Sequence, residues 1–192
     1  MRPRLPRVLL LTLLVTGVVS GCDGLSGTGG QQYISGNGQV TQVKVADRGD
    51  PIEMTGTTLD GKQLSLSDFR GQVVVVNVWW SACPPCRTET PDLVKAAQSS
   101  EHPAAFVGID IRDAGKAAAQ AFVRSHDVPY PSIFDPSGKA LLPFSGTLSP
   151  RSVPATVVLD KQGRVAAAVL GPLPSELTLT ELIDDASGTA DG

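Results

Sequence analysis

Two cysteines separated by two residues are the part of the sequence best suited to chemistry. Cys83-Pro84-Pro85-Cys86 follows a strongly apolar run and precedes residues of helix-forming composition. A thiol at the first position of a helix faces backbone N–H groups that lack a helical acceptor, and these groups favour the thiolate. Proline is tolerated there because the N–H that it lacks would have no helical acceptor. Since two intervening residues in a first helical turn bring the sulfurs within disulfide reach, the pair is predicted to alternate between dithiol and disulfide.

Two other uses of this cysteine pair are a zinc site and a purely structural disulfide. A zinc site needs two further ligands, and His102 and His126 are the only histidines and lack the usual ligand spacing. We expect both histidines at the surface, outside catalysis. A disulfide that closes so short a loop would stabilise the fold only weakly. Redox chemistry is therefore the leading interpretation, and neither a metal nor a cofactor is predicted.

The composition sets limits on the class of protein. The chain has 192 residues, of which 41% are hydrophobic and 18% charged, and this excludes a wholly disordered protein. The formal net charge of −3 gives no basic surface of the kind that binds a nucleic-acid backbone. Three cysteines are too few for a disulfide-rich miniature scaffold. The class of protein that these limits leave is a single globular domain with additional terminal segments.

The N-terminus is predicted to be a targeting segment. Basic residues 1–7 precede the apolar run Val8–Val19, which is shorter than the roughly 20 residues that a membrane-spanning helix needs. The following Val19-Ser20-Gly21-Cys22 resembles the lipobox of bacterial lipoproteins. That resemblance implies a signal peptide over residues 1–21 and lipid on Cys22, which would anchor the protein on the extracytoplasmic side of the cell membrane. The alternatives are a plain signal peptide with a coincidental cysteine and a short anchor that is retained.

Beyond Cys22, composition divides the chain into three parts. Residues 22–50 are rich in Gly, Ser, Thr and Gln and are predicted to form a flexible tether. Residues 51–186 are predicted to form the folded domain, and residues 187–192 a disordered tail.

The folded part shows a regular succession of strand and helix patterns. The predicted elements are a hairpin of Met54–Leu59 and Lys62–Leu66, a buried strand Val73–Trp80, a helix Cys83–Ser99, a strand Ala105–Ile111, a helix Gly115–His126, a strand pair Thr156–Leu159 and Val165–Leu170, and a helix Pro174–Ala186. This order indicates an α/β fold with a central mixed sheet flanked by helices and an N-terminal β-hairpin.

Two segments carry a resemblance to a known family. Val75–Pro91, which contains the cysteine pair, resembles the active-site segment of thioredoxin-fold proteins and is most similar to that of the membrane-anchored TlpA/ResA-like thiol-disulfide oxidoreductases. Ser152–Asp160 resembles the cis-proline segment of the same fold, and Tyr130–Asp135 resembles the inserted region of that family. The resemblance covers most of residues 51–186 and implies a thioredoxin-like fold.

Chemical roles can then be assigned to the helix that carries the cysteines. Cys83, at the N-cap and expected to be the more exposed thiol, is the predicted nucleophile, and Cys86 resolves the mixed disulfide. Glu89 lies three residues beyond Cys86 on the same helical face. TlpA/ResA-like proteins carry a Glu here, whereas the buried Asp of thioredoxin corresponds to Asn77, so Glu89 is the candidate proton-handling group. The alternative for Glu89 is a solvated acid favoured by the helix dipole.

The resemblance also implies a surface for substrate. Pro154 is predicted to follow a cis peptide bond and to lie against the cysteine pair, leaving the N–H and C=O of Val153 free to bind an extended substrate. The alternative is an ordinary trans proline at a strand edge. Trp79 is expected to pack as a wall of the site. Family members often have Trp where this chain has Ala82, and Trp80 is the residue that could compensate.

The predicted activity is reduction of disulfides in cell-envelope proteins, with apocytochrome c maturation as one setting implied by the resemblance. The partners are then protein disulfides and an unidentified membrane electron donor. Two prolines remove backbone donors near the thiolate, which predicts a reducing couple. The alternatives are a net oxidase, a peroxiredoxin-like peroxidase and a non-catalytic binding lipoprotein. Peroxidases of that kind have Thr or Ser at the position that Trp80 occupies, which counts against peroxide chemistry.

Overall fold

The computed structural model describes residues 31–35 and 39–188. The predicted signal peptide, Cys22 and the end of the predicted tail lie outside these residues. The strands are β1 (Gln31–Ser35), β2 (Gln39–Val43), β3 (Thr55–Thr57), β4 (Gln63–Ser65), β5 (Val74–Trp79), β6 (Ala105–Asp110), β7 (Ser132–Phe134), β8 (Ala155–Leu159) and β9 (Val165–Leu170). The α-helices are α1 (Pro84–Ala97), α2 (Lys116–Ser125) and α3 (Glu176–Ser187), and three short 3₁₀ helices span Val45–Asp47, Leu66–Phe69 and Lys139–Phe144.

Seven strands form one mixed sheet in the order β1-β2-β9-β8-β5-β6-β7, and β3 pairs with β4 as a separate hairpin. β5 runs parallel to β6 and antiparallel to β8. The hairpin turns at Gly61, whose φ of 87° lies in the left-handed region that suits glycine. The predicted mixed sheet and N-terminal hairpin are both confirmed.

The central strand β5 is buried along its whole length, as a sequence that is apolar except for Asn77 predicts. Val76 and its neighbours of the same parity contact one core cluster, which includes Val107 and Val157. Val75 faces the opposite side, where α1 and α3 cover the sheet. Helices on one face and loops with 3₁₀ turns on the other therefore exclude water from both sides of the strand.

The parallel arrangement of β5, β6 and β7 determines where a site can form. Right-handed crossovers place α1 and α2 on the same face of the sheet, and Phe122 of α2 stacks on Trp79 with ring centroids 4.7 Å apart. The carboxyl ends of the three strands meet at one edge of the sheet, at Trp79, Asp110 and Phe134. The start of α1 lies at this same edge.

The prediction of a flexible tether over residues 22–50 is wrong for residues 31–35 and 39–43. Residues 31–35 form β1, which pairs with β2; residues 39–43 form β2, which pairs antiparallel with β9, and Val40 is buried. The sequence there is mostly polar, so the strand is stabilised by pairing with β9 rather than by its own pattern.

Two further elements differ from the prediction. β7, in the segment Tyr130–Asp135, was not predicted as a strand; it has only three residues and follows a proline. α3 continues to Ser187, so the predicted tail cannot begin before Gly188, whose φ of 78° ends the helix.

Across the described residues, none of the helices combines the length and apolar character required to cross a bilayer.

Candidate active site

The cysteine pair lies at the start of α1 as predicted. Cys83 is the N-cap residue, and Pro84 and Pro85 form the beginning of the first turn. The two sulfurs form a disulfide with an S–S distance of 2.02 Å. The backbone N–H of Cys86 donates to the sulfur of Cys83 at 3.2 Å. With prolines at the two preceding positions, this is the donor that the first turn supplies to the nucleophile.

Both cysteines are buried in the disulfide state. Cys83 is 3% exposed and Cys86 1%, so the expected order holds by a narrow margin, but Cys83 is far less accessible than predicted. Trp79 and Phe122 belong to the apolar cluster that surrounds the pair, and the half-buried Trp80 packs against it. The residues on either side of Cys83, Ala82 and Pro84, are exposed. Cys83 therefore lies directly beneath the surface.

Trp79 packs beside the cysteine pair, in the place predicted for a wall of the site. Phe122 stacks on it, and His126 in turn stacks on the ring of Phe122 with centroids 4.2 Å apart. His126 is therefore half-buried and closer to the site than predicted. His102 lies elsewhere, hydrogen-bonded to Asp184. No group of three or more His, Cys, Asp or Glu side chains suited to a metal ion occurs within the described part of the chain.

Glu89 is buried on the inner face of α1, with 3% of its surface exposed. One carboxylate oxygen accepts a hydrogen bond from the side-chain amide of Asn77 at 3.1 Å, and the other from the backbone N–H of Leu173 at 2.8 Å. Burial raises the pKa of Glu89 to about 7, although both hydrogen bonds lower it in part. The alternative of a solvated first-turn acid is therefore excluded.

Asn77 ties Glu89 to the strand on the far side of β5. Its side-chain amide also lies 3.4 Å from the carbonyl oxygen of Ala155 and from the hydroxyl of Thr156, both in β8. An amide at this position is a hydrogen-bond donor that cannot ionise. The buried acid that Asn77 holds is thus carried by α1 rather than by β5.

The Val153–Pro154 peptide bond is cis, as predicted. Val153 packs against the cluster that contains Cys83 and Cys86, so this loop lies beside the cysteine pair. The carbonyl of Pro154 accepts from the N–H of Gly171 at 3.0 Å, which connects the loop to the end of β9.

The prediction that both backbone groups of Val153 are free is wrong for the N–H. This group donates to the carbonyl of Arg151 at 3.0 Å. Within residues 31–35 and 39–188, no hydrogen bond reaches the carbonyl of Val153. The tight turn before the cis proline uses the donor and leaves the acceptor.

Two acidic residues near the site were not predicted from the sequence. Asp113, in the loop after β6, accepts hydrogen bonds from the N–H and the hydroxyl of Ser81 at 2.9 and 2.7 Å. Asp110 ends β6 and is completely buried. The available signal was an acid inside an otherwise apolar predicted strand, Ala105–Ile111, since a charge is rarely buried there without a purpose.

The chain is similar in sequence to known families of proteins. The sequence model of the Redoxin family matches residues 39–184. Thiol-disulfide oxidoreductase ResA of Bacillus cereus is 29% identical over 121 residues, which are 62% of this chain and 67% of ResA. Thiol:disulfide interchange protein HelX of Rhodobacter capsulatus is 32% identical over 127 residues, 65% of this chain and 68% of HelX. The aligned region thus spans about two thirds of each of these relatives.

Solved structures agree with the fold. A DsbF homologue from Corynebacterium diphtheriae superimposes with a TM-score of 0.72 and 35% identity, covering 82% of this chain and 99% of that protein. A secreted thiol-disulfide isomerase from Corynebacterium glutamicum gives a TM-score of 0.69 and 35% identity, with 81% and 99% coverage. The thioredoxin-like fold expected from the sequence is confirmed.

Proposed function

The chain belongs to the Redoxin family and is a thiol-disulfide oxidoreductase, and from that premise we propose that it reduces disulfides of cell-envelope proteins while held outside the cytoplasm by lipid on Cys22. The observation that carries the proposal is Glu89, a buried acid on the same face of α1 as Cys86. A carboxyl group whose pKa is about 7 is suited to accept and return a proton at neutral pH.

The reaction uses the cysteine pair in two exchanges. The Cys83 thiolate attacks one sulfur of the substrate disulfide, and the other substrate sulfur leaves as a thiolate that takes up a proton. The Cys86 thiol then gives its proton to the Glu89 carboxylate and attacks the sulfur of Cys83, which releases the second substrate thiolate. Two electrons pass to the substrate, and the enzyme is left as the Cys83–Cys86 disulfide.

The hydrogen-bond donors around Cys83 favour electron transfer from the cysteine pair to the substrate. When many donors stabilise the thiolate, the reduced form of the cysteine pair is stabilised, and its disulfide form is then a strong oxidant. Here Pro84 and Pro85 have no N–H, and the first turn offers Cys83 the N–H of Cys86 at 3.2 Å. The dithiol is stabilised less, and the couple is correspondingly more reducing.

Substrate contact is assigned to the cis-proline loop and Trp80. The free carbonyl of Val153 can accept one backbone hydrogen bond from an extended chain, and Pro154 fixes the loop beside the cysteine pair. Trp80 packs against the cluster that contains that pair and offers an apolar surface where family members often have a Trp in place of Ala82. A cysteine-containing apocytochrome c segment is one substrate that fits such a site.

Trapping tests the function and identifies the substrate. In a Cys86→Ala variant, partners should stay covalently bound to Cys83, and mass spectrometry of the membrane fraction would name them; Cys83→Ser is the matched control and should hold none. A reduction potential of the pair near −120 mV, as in a strong disulfide-forming enzyme, would contradict a reductant and favour the oxidase. Insulin reduction that persists in Cys83→Ser would contradict the assigned nucleophile.

The anchor is tested separately. Cys22→Ser should move the protein from the membrane to the soluble extracytoplasmic fraction without changing insulin reduction by the purified protein, because a lipid tether acts on location alone. Unchanged membrane association of that variant would contradict lipid attachment at Cys22.

A further inference from the structure

The buried carboxyl group of Asp110 is not used by the mechanism above. The residue is 0% exposed at the end of β6. Neither carboxylate oxygen makes a hydrogen bond within the part of the chain that the structure describes. Buried polar groups are almost always paired, and an unpaired buried charge is costly. An orphaned carboxyl group beside a redox centre therefore needs a physical explanation.

Asp110 lies one strand away from the wall of the cysteine site. Its Cα is in register with that of Trp79 on the neighbouring parallel strand, so the two side chains share a face of the sheet. The following N–H, of Ile111, donates to the carbonyl of Trp79 at 3.1 Å. Trp79 belongs to the apolar cluster that contains Cys83 and Cys86. Asp110 is therefore the strand neighbour of a residue in that cluster.

A second carboxyl group connects Asp110 to the chain that leads into Cys83. Asp113 is 6% exposed and holds Ser81, two residues before Cys83, through two hydrogen bonds. Burial, and after it the negative charge of Asp113, raise the pKa of Asp110 to about 7, with the nearby backbone N–H of Asp113 offsetting a part of the rise. The negative charge of Asp113 acts on Asp110, and two ionised carboxylates would repel each other, so the hold on Ser81 is strongest when Asp110 is uncharged.

The other charged groups on the surrounding elements are engaged elsewhere. Arg87 of α1 donates to the carbonyl of Ser81, Lys116 of α2 donates to the carbonyl of Thr58, and Asp135 after β7 accepts from Ser137 and Ala140. Glu89 is bound by Asn77 and Leu173. None of these supplies a hydrogen bond to the carboxyl group of Asp110.

We propose that Asp110 is a positioning residue of the redox centre: uncharged, it lets Asp113 hold the segment Ser81–Cys83 in place, and when ionised it loosens that hold and disfavours the Cys83 thiolate. The proposal rests on the thiol-disulfide activity described above. It involves no covalent step, since ionisation only releases the Asp110 proton to solvent and Asp110 touches neither sulfur.

The test compares Asp110→Asn with the parent protein over a range of pH, both in a Cys22→Ser background. The alkylation rate of Cys83 in the reduced protein is measured from pH 5.5 to 9, together with the potential of the pair. At pH 5.5 both proteins carry an uncharged side chain at position 110 and should react alike. At pH 8.5 the variant lacks a negative charge near the thiolate and should react about three- to tenfold faster, with a more positive potential.

A constant ratio of rates at all pH values, or no difference at any, would overturn the proposal, since a purely structural role has no reason to follow ionisation. Asp113→Asn is the matched control: it replaces one of the two oxygens that accept from Ser81 with an NH2 donor and removes the negative charge, so it should alter the rate at both ends of the range. Loss of alkylation and insulin reduction in the parent protein itself would instead count against the redox function.

A measurement on the unaltered side chains covers the case in which Asp110→Asn does not fold. In the parent protein with ¹³C-labelled aspartate carboxyl groups, one resonance should titrate near pH 7, far above the usual value of about 3.9. If every aspartate carboxyl group has finished titrating below pH 6, Asp110 is charged at neutral pH and the proposal fails.

Discussion

The pKa values of buried acids are shifted in opposite directions at the two ends of the sheet. At the carboxyl end of β5, Glu89 and Asp110 are buried, neither forms an ion pair within the described residues, and the pKa of each is raised to about 7. At the other end, in the turn after β8, Asp160 is equally buried but lies between two arginines, and its pKa is lowered. A buried carboxyl group is thus kept ionised where it supports the turn, and its pKa is kept near neutral pH where protons must be exchanged.

By exposed surface the three acids are equally buried, and what differs visibly is the set of donors around each. Asp160 accepts hydrogen bonds from Arg48 at 3.1 Å and from Arg164 at 2.9 Å, and from the backbone N–H groups of Gln162 and Arg164. The donors to Glu89 are one neutral amide and one backbone N–H. Every hydrogen bond to an ionised carboxylate lowers its pKa, and Asp160 has more such donors than Glu89, including the side chains of two arginines.

Asp160→Asn should give the largest effect on stability. It removes the negative partner of two arginines, so the free energy of unfolding at pH 7 should fall by about 3 kcal/mol. Because the folded-state pKa of Asp160 is lowered, its contribution is present above the unfolded-state pKa and lost as pH falls through the folded-state value. Urea unfolding at pH 7 and at pH 3 measures both. Asp50→Asn, at an exposed aspartate, is the control; an equal loss in the two variants would contradict the comparison.

Glu89→Gln should affect chemistry more than stability. Without a proton acceptor for Cys86, resolution of the mixed disulfide at pH 7 should slow about 100-fold, which single-turnover kinetics with a model disulfide would measure.

The stability of this variant has the opposite pH dependence to that of Asp160→Asn. The folded-state pKa of Glu89 is raised from 4.5 to about 7, so the folded protein binds more protons between these values and the parent loses stability as pH rises through them. Glu89→Gln should therefore gain stability relative to the parent between pH 5 and pH 8. A loss that grows with pH would show that Glu89 is stabilised as an anion, as Asp160 is.

Asn77→Ala should shift the working pH of Glu89. The Asn77 amide donates to the ionised carboxylate and lowers its pKa, so removing the amide raises that pKa further. The pH–rate profile for resolution by Cys86 should move towards alkaline pH by up to about one unit. An unchanged profile would mean that, of the two donors, only the N–H of Leu173 affects the pKa. Thr156→Val, which removes a neighbouring hydroxyl but keeps the donor, is the matched control.

The sequence reveals the parts of the site that are local and misses those that depend on distant contacts. The position of Cys83 at a helix N-cap and of Glu89 on the inner face of α1 follows from spacing along one helix. The N–H of Leu173 that binds Glu89 comes from a loop 84 residues away, and no local pattern points to it. The sequence shows Asp110 within a predicted strand, but only the folded structure shows that its carboxyl group has no hydrogen-bond partner among the described residues.

The same distinction explains which elements of the fold were predicted. β5 is unmistakable because five of its six consecutive buried residues are apolar and only Asn77 is polar. β2 has only Val40 and Val43 among polar residues, and its pairing with β9 joins segments more than 120 residues apart in the sequence. An edge strand of this kind takes its stability from a neighbour that the local sequence does not show.

His102→Gln should give the smallest effect, at the end of the sheet that pairs its acids with cations. His102 precedes β6 and hydrogen-bonds Asp184 of α3 at 2.8 Å. That hydrogen bond raises the pKa of His102, so its contribution is present below the unfolded-state pKa of 6.5 and is lost as pH rises through the folded-state value. The variant should therefore be slightly less stable than the parent at pH 5.5 and equal to it at pH 9, as measured by urea unfolding. Since the pair is exposed to solvent, the difference at pH 5.5 should also shrink in high salt. A difference that persists at pH 9 would mean that His102 acts by packing, and the pairing of acids with cations at this end would then rest on Asp160 alone.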